Sequence, residues 1–197
     1  MYKVLGSINT RTFRVLWMLE ELGQPYELIQ SPPRSAAVMA LSPLGKIPVL
    51  QDGDDIITDS TAIMTYLGDR HGALTHPAGS IDRARQDALS NRVLDELDAV
   101  IWTAARHSFV LPEDKRVPEV KPSLAWEFGN NVNRLAEQFE GPFLMGDTMT
   151  IADIIAVHCL NWAYAAKFPV ENDTILAYAK SMRARAAFQR VKALAEG

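Results

Sequence analysis

Short apolar runs alternate with helically spaced apolar positions over the first eighty or so residues, and beyond them only the helical spacing continues. Tyr2-Lys3-Val4-Leu5 predicts a strand. From about Thr10 to Leu22 the apolar Val15, Leu16, Leu19 and Leu22 recur at helical spacing, until Gly23 and Pro25 stop the pattern. Tyr26-Glu27-Leu28-Ile29 predicts a second strand, and Ser31 to Leu41 a proline-rich loop with a short helix. Strands around Ile47 and Ile56 follow. Between them Gln51-Asp52-Gly53-Asp54 sets Asp-Gly amid the apolar Val49-Leu50 and Ile56-Ile57, a strong local hairpin signal. A helix from about Ser60 to Arg70 completes the order strand, helix, strand, helix, strand, strand, helix. That order makes a mixed sheet with helices packed on it.

Past His76-Pro77-Ala78-Gly79-Ser80 the strand signals stop, which marks a domain boundary, with residues 1–78 before it and 79–197 after. A long helix is predicted from about Asp82 to Arg106, then a loop containing Pro112, Pro118 and Pro122, then a second long helix from about Ser123 that ends before Glu140-Gly141-Pro142. In Met149-Thr150-Ile151-Ala152-Asp153-Ile154, Thr150 is placed to cap a helix, Asp153 to reach back to it, and Met149 to staple against Ile154. The apolar residues that follow predict a helix buried in the core. Shorter helices around Thr174 to Ser181 and Ala186 to Ala195 close the chain.

A chain of 197 residues, 48% of them hydrophobic, suits one large or two small domains with a substantial core. The net charge of −4 and the dispersed Lys and Arg residues argue against binding nucleic acid by phosphate neutralisation. No apolar run approaches the roughly 18 residues that span a bilayer, and the N-terminus has neither an apolar h-region nor a small-residue cleavage site, so a cytoplasmic protein without membrane partners is expected. The single cysteine, Cys159, excludes an intramolecular disulfide and a multi-thiolate zinc site, and its apolar neighbours predict a buried structural thiol. His71, His76, His107 and His158 show no metal-ligand spacing, and phosphate-loop, dinucleotide and Gly-x-Ser-x-Gly signatures are absent. No metal is expected.

The chemistry concentrates in Pro43-Leu44-Gly45-Lys46-Ile47-Pro48-Val49-Leu50 and in Asp59-Ser60. Proline cannot supply a ladder N–H, and a cis Ile47-Pro48 bond would turn the backbone outward and leave the N–H and C=O of Ile47 to an extended ligand. Asp59-Ser60 stands where a strand gives way to a helix. There free N–H groups and the helix dipole suit a ligand carboxylate, and Asp59 suits an ammonium. Each piece alone has an ordinary reading, an edge proline and an N-cap. Together, held at neighbouring ends of one sheet by the hairpin, they fit an amino-acid-like head group on a small peptide.

Four motifs, Phe13-Arg14-Val15-Leu16-Trp17-Met18-Leu19-Glu20-Glu21-Leu22-Gly23, Ser42-Pro43-Leu44-Gly45-Lys46-Ile47-Pro48-Val49-Leu50, Asp59-Ser60-Thr61-Ala62-Ile63 and Gly146-Asp147-Thr148-Met149-Thr150-Ile151-Ala152-Asp153, run in an order that resembles the cytosolic glutathione S-transferases. The pattern is closer to the theta-, zeta- and beta-like members, the bacterial type, than to those using tyrosine. The resemblance covers essentially the whole chain. It implies an α/β plus all-α fold: an N-terminal thioredoxin-like domain with a mixed sheet that binds glutathione, and a C-terminal all-helical domain that shapes the second-substrate pocket between the domains. It also implies glutathione as co-substrate, a small hydrophobic electrophile as its partner, and usually a homodimer.

Carried onto this sequence, the resemblance implies that Ile47, before cis Pro48, pairs its backbone with the cysteinyl part of glutathione and that Asp59 and Ser60 hold the γ-glutamyl end. Lys46 matches a position that often contacts glutathione, and Arg11 and Arg34 are candidates for the glycyl carboxylate. The activity requires a donor to the sulfur, because lowering the thiol pKa is the main chemical contribution. The loop Gly6-Ser7-Ile8-Asn9-Thr10-Arg11-Thr12 holds neither tyrosine nor cysteine, and Tyr2 does not match the family's tyrosine. Thr10 is the first choice, Asn9, whose amide can donate, the second, and Ser7 the third; each also suits an N-cap, the reading preferred for Thr12. Trp102, Arg106, His107 and Phe109 are the candidates for the second-substrate pocket.

Overall fold

The computed structural model describes residues 1–195. They form two compact units: residues 1–78 together with the stretch from Arg183 onward, and residues 79–182. In the first, β1 (Tyr2–Gly6), α1 (Thr12–Glu21), β2 (Tyr26–Gln30), α2 (Ala36–Leu41), β3 (Val49–Asp52), β4 (Asp55–Thr58) and α3 (Ser60–His71) follow the predicted order. The sheet runs β2-β1-β3-β4, with β1 parallel to β2 and antiparallel to β3, and β3 antiparallel to β4. A parallel pair needs a crossover, and α1 supplies it.

Both faces of the sheet are covered, as the apolar runs require. Leu5 and Val49 cluster with Val38 of α2, while Val4 and Leu50, on the opposite face by the two-residue period, are equally buried. In the hairpin Asp52 pairs with Asp55, so Gly53-Asp54, not Asp52-Gly53, form the two-residue turn, and Gly53 takes the positive φ of 61° that it demands.

The last helix, α9 (Ala186–Ala193), which the sequence reading grouped with the helical domain, belongs with this first unit and lies against α1. The reason is specific side-chain chemistry on α1. Phe188 packs edge-on to Trp17 with ring centroids 5.0 Å apart and meets Phe13 at 5.1 Å. Arg185 donates two bonds to Glu21, at 2.6 and 2.8 Å, and Trp17 Nε1 donates a third to the same carboxylate at 2.9 Å. Arg190 reaches Glu20 at 2.5 Å, and Tyr26 donates to Glu20 at 2.9 Å.

The second unit is helical. α4 (Ile81–Val93), a π-helical stretch (Leu94–Ala99), α5 (Val100–Ala105) and a π-helical end (Arg106–Val110) make the long helix, which runs four residues past the predicted end at Arg106. Two short 3₁₀ turns precede α6 (Lys121–Glu137); Pro122 lies in its first turn rather than in the loop, a position where its missing N–H has no helical partner to lose. α7 (Ile151–Ala166) is apolar around most of its circumference and buried from Ile151 through Leu160, Cys159 included. α8 (Asp173–Arg183) follows.

The predicted capping box is present and is the centre of a larger network. The Asp153 carboxylate accepts the Thr150 N–H at 2.8 Å, the Leu144 N–H at 2.9 Å and the Tyr178 hydroxyl at 2.8 Å, at zero exposure. Burial nonetheless pushes its carboxyl above the ordinary carboxylate range, against the pull of these donors. No helix among the described residues is long and apolar enough to cross a membrane.

Candidate ligand site at one end of the sheet

The registers decide what lies beside what. Leu5 pairs with Val49, and Val49 with Thr58. One step further along each strand stand Gly6, Pro48 and Asp59, so the segments 7–11, 34–47 and 59–60 leave from the same end of three adjacent strands. The sequence candidates for peptide binding converge there. Tyr2 is at the other end of β1, roughly 13 Å away at strand rise; its hydroxyl lies 2.9 Å from His71 Nε2, and burial pushes its phenol up. It is not part of this constellation.

The Ile47-Pro48 bond is cis. The β1–β3 ladder ends at Val49, so the main-chain groups of Ile47 lie outside it, while the Ile47 side chain packs onto the Leu5, Val38 and Val49 cluster. The preceding loop is fixed from behind: the Arg34 N–H donates to the Gly45 carbonyl at 2.9 Å. Gly45 has φ 64°, and a Cβ there would stand 2.8 Å from Arg34 Cγ and 2.9 Å from Met39 Sδ, so only glycine fits this approach. Two exposed cations, Arg34 and Lys46, thereby flank the outward turn at Ile47.

Asp59 is the N-cap of α3, its Oδ1 accepting from the Thr61 N–H at 2.9 Å and the Ala62 N–H at 3.1 Å. It holds φ 73°, ψ 126°, a conformation a non-glycine residue adopts at a cost of order 1–3 kcal/mol and one that concentrates at ligand clamps. Ser60, the first helical residue, is buried. The N-cap role uses Oδ1 alone, and neither of the two cap bonds involves Oδ2.

In the loop after β1, Thr10 Oγ1 donates to the Ser7 carbonyl at 2.6 Å, accepts the Thr12 N–H at 3.2 Å and lies 3.0 Å from Thr12 Oγ1. Ser7 donates to the Ser31 carbonyl at 3.3 Å, Asn9 is exposed, and Arg11 is half-buried. The N-cap reading preferred for Thr12 does not hold. Arg11 occupies the N-cap position without a side-chain bond, and Thr12 is already helical, fully buried, with its hydroxyl turned to Thr10.

The family model for the glutathione S-transferase N-terminal domain matches residues 1–76, and that for the C-terminal domain matches 97–194. The chain belongs to the cytosolic glutathione S-transferase family. Among curated relatives, a putative glutathione S-transferase alpha-2 of Dictyostelium discoideum is 28% identical over 70% of this chain and 61% of its own length. An elongation factor 1-gamma of Trypanosoma cruzi is also 28% identical, over 62% of this chain but only 29% of its own. The chain thus spans less than two thirds of the length of each of these relatives. In fold, a glutathione transferase from Phanerochaete chrysosporium solved with oxidized glutathione superposes with TM-score 0.83 at 22% identity, covering 96% of this chain and 94% of that one.

Within the transferase fold, the four second-substrate candidates occupy one stretch of the second unit. Trp102 is half-buried on α5; Arg106, His107 and Phe109 lie on the π-helical end, Phe109 being 69% exposed. His107 Nδ1 accepts the Val117 N–H at 3.1 Å, which ties the imidazole to the following loop. Among the described residues no group of His, Cys, Asp and Glu is placed to hold a metal ion.

Proposed function

We propose that this chain is a glutathione transferase: it binds glutathione at the sheet end described above and presents its thiolate to a hydrophobic electrophile. The observation that carries the reading is the convergence of an unladdered Ile47 backbone, the strained Asp59 with Ser60 at a helix N-terminus, and a hydroxyl-bearing loop on the same edge. Ile47 pairs with the cysteinyl backbone. Asp59, through the oxygen its amides do not use, receives the γ-glutamyl ammonium, and Ser60 with the α3 terminus receives the α-carboxylate. Lys46, Arg34 and Arg11 serve the glycyl carboxylate.

Thr10 is the sulfur donor in this reading, with Asn9 and Ser7 as the alternatives in that order. The thiol proton leaves to solvent, the sulfur forms a bond to the electrophilic carbon, and the leaving group departs with its electron pair. Peroxide reduction by the same thiolate, detoxification, a homodimeric state and a cytoplasmic location are parts of the same proposal. Trp102, Arg106, His107 and Phe109 supply the aromatic and cationic surface for the electrophile.

A second reading, glutathione binding with little catalysis, is favoured by one observation: the Thr10 proton is engaged by the Ser7 carbonyl at 2.6 Å. An isomerase, dehalogenase or ether-cleaving enzyme would share the thiol site and differ at the second. Ultraviolet thiolate absorbance of bound glutathione separates the readings. A transferase holds the thiol below its ordinary pKa of about 8.5, so that thiolate is present at neutral pH. Thr10→Val should move that titration upward and lower turnover with little loss of glutathione affinity, with Asn9→Ala and Ser7→Ala as comparisons. A titration that stays at the free-thiol value in the unmodified protein makes it a binder. Turnover of a panel of electrophiles and peroxides then names the reaction.

A further inference from the structure

Beneath the sulfur-donor candidate stands a residue that no motif assigns to the chemistry. Thr12 is fully buried, opens α1 and caps nothing. Its N–H donates to Thr10 Oγ1 at 3.2 Å, and its hydroxyl lies 3.0 Å from the same atom. A hydroxyl has one proton to give. Thr10 directs its proton to the Ser7 carbonyl at 2.6 Å, the shorter contact, so between the two threonines Thr12 is the donor. Thr10 Oγ1 therefore receives two bonds from one residue, one from main chain and one from side chain.

Thr12 is itself held in place by the end of β1. A Cβ on Gly6 would collide with Thr12 Oγ1 and stand 2.9 Å from its Cγ2, so the absence of a side chain at residue 6 is what lets this hydroxyl occupy its position. Thr12 is β-branched and so restricted at χ1, and its full burial against Gly6 restricts it further. The geometry makes a line from rigid strand to donor: Gly6, Thr12, Thr10.

We propose that Thr12 is a positioning residue for thiolate stabilisation, resting on the reading that Thr10 is the donor. When the glutathione sulfur arrives, the Thr10 proton turns from the Ser7 carbonyl to the sulfur, and the two bonds from Thr12 keep Oγ1 fixed during that turn. The Thr12 hydroxyl, donating into Thr10, also makes the Thr10 O–H the stronger donor, because hydrogen bonds in series polarise one another. Thr12 does not touch the sulfur. Only hydrogen bonds are exchanged; no proton passes between the threonines.

The test uses the full chain with glutathione and compares Thr12→Val, which keeps the shape and removes the hydroxyl, with Thr12→Ser, which keeps the hydroxyl. Thr12→Val should raise the thiol pKa of bound glutathione and lower kcat roughly two- to tenfold, with KM for glutathione changed by less than about twofold. Thr12→Ser should titrate like the unmodified protein, and Thr10→Val with Thr12→Val together should be no worse than Thr10→Val alone. Gly6→Ala, which displaces the Thr12 hydroxyl with residue 12 intact, should shift the titration in the same direction and serves where Thr12→Val does not fold. An unchanged titration in Thr12→Val and Gly6→Ala, with Thr10→Val shifted, overturns the positioning role alone. An unchanged titration in Thr10→Val overturns the donor assignment and this role with it.

Discussion

At the scale of single residues, the proposed function gives Asp59 a second role that a truncation cannot separate from its cap. It caps α3 through Oδ1 and, in the proposed complex, meets the γ-glutamyl ammonium with its charge. Asp59→Ala removes both and should cost about 0.5–2 kcal/mol of stability from the cap alone, besides weakening glutathione. Asp59→Asn keeps an oxygen for the cap, and asparagine tolerates the positive φ, so the fold should hold. Losing the charge-assisted bond should still cost about 1.5–3 kcal/mol in glutathione binding. Calorimetry with a denaturant melt on each variant checks this; an Asn variant that binds glutathione as tightly as the parent would take the charge out of the site. The positive φ also explains what a linear reading of the chain left out. Asp-Ser before a helix is visible as a cap, but the turn of backbone that presents it depends on β4 ending beside Pro48, a relation set by strand register.

At the scale of elements, α1 and α7 show how unequal the sequence signal is. The α7 start was legible because Thr150 and Asp153 stand three apart before an apolar run, and local spacing alone defines a capping box. The Tyr178 and Leu144 donors were not legible, since they reach Asp153 from 25 residues downstream and 9 upstream. Their presence raises the stakes at Asp153: Asp153→Asn should destabilise by about 2–4 kcal/mol, more than Thr150→Ala at about 0.5–2 kcal/mol. The pH dependence has a definite sign. The folded-state pKa of Asp153 lies above the ordinary value because of burial, so the folded chain binds this proton more tightly than the unfolded one. Its contribution to stability then rises as pH falls from the folded value toward the ordinary carboxylate range. The stability gap between the parent and Asp153→Asn should therefore widen on acidification, read from denaturant midpoints across that range. A gap that narrows instead would mean the ionised carboxylate is the better-held form.

The α1–α9 pairing belongs to the same scale and grades its own variants. Phe188 is 5% exposed and contacts two aromatic rings, so Phe188→Ala should cost about 3 kcal/mol or more. Arg185→Ala removes two of the donors to the Glu21 side chain, 9% exposed, and leaves the Trp17 N–H; it should cost about 1–2 kcal/mol, moderated by the 36% exposure of the arginine side chain. The Arg190 side chain is 54% exposed, and Arg190→Ala should cost less than about 1 kcal/mol. Chemical denaturation at low and high salt orders the three. Reversal of that order, with Arg190→Ala the worst, would mean that charge rather than aromatic packing holds α9.

For the whole molecule, the informative fact is that a unit begun by the first residue is completed near the last. The sequence placed the boundary after residue 78 from the loss of strand signals, and that shift in periodicity is local and readable. That α9 returns to α1 is not, because its apolar spacing resembles that of any short amphipathic helix and its partners Phe13, Trp17, Glu20 and Glu21 are some 170 residues away. Phe188 of α9 covers one side of Trp17, which is fully buried in the folded chain. A chain ending after Arg183 should consequently open α1 at lower free energy, while α7, whose network lies entirely within residues 79–182, keeps its protection. Because the Ser7–Arg11 loop leads directly into α1, glutathione binding in this shortened chain should weaken as well. Ligand at about a hundred times its dissociation constant should then return roughly 2.7 kcal/mol to the folded state. Native-state hydrogen exchange over residues 12–21 and 151–166, with and without glutathione, measures all three effects in one experiment. Equal protection of α1 in the shortened and full chains would show that α9 decorates the first unit without holding it, and the aromatic contacts between Phe13, Trp17 and Phe188 would then carry little of its stability.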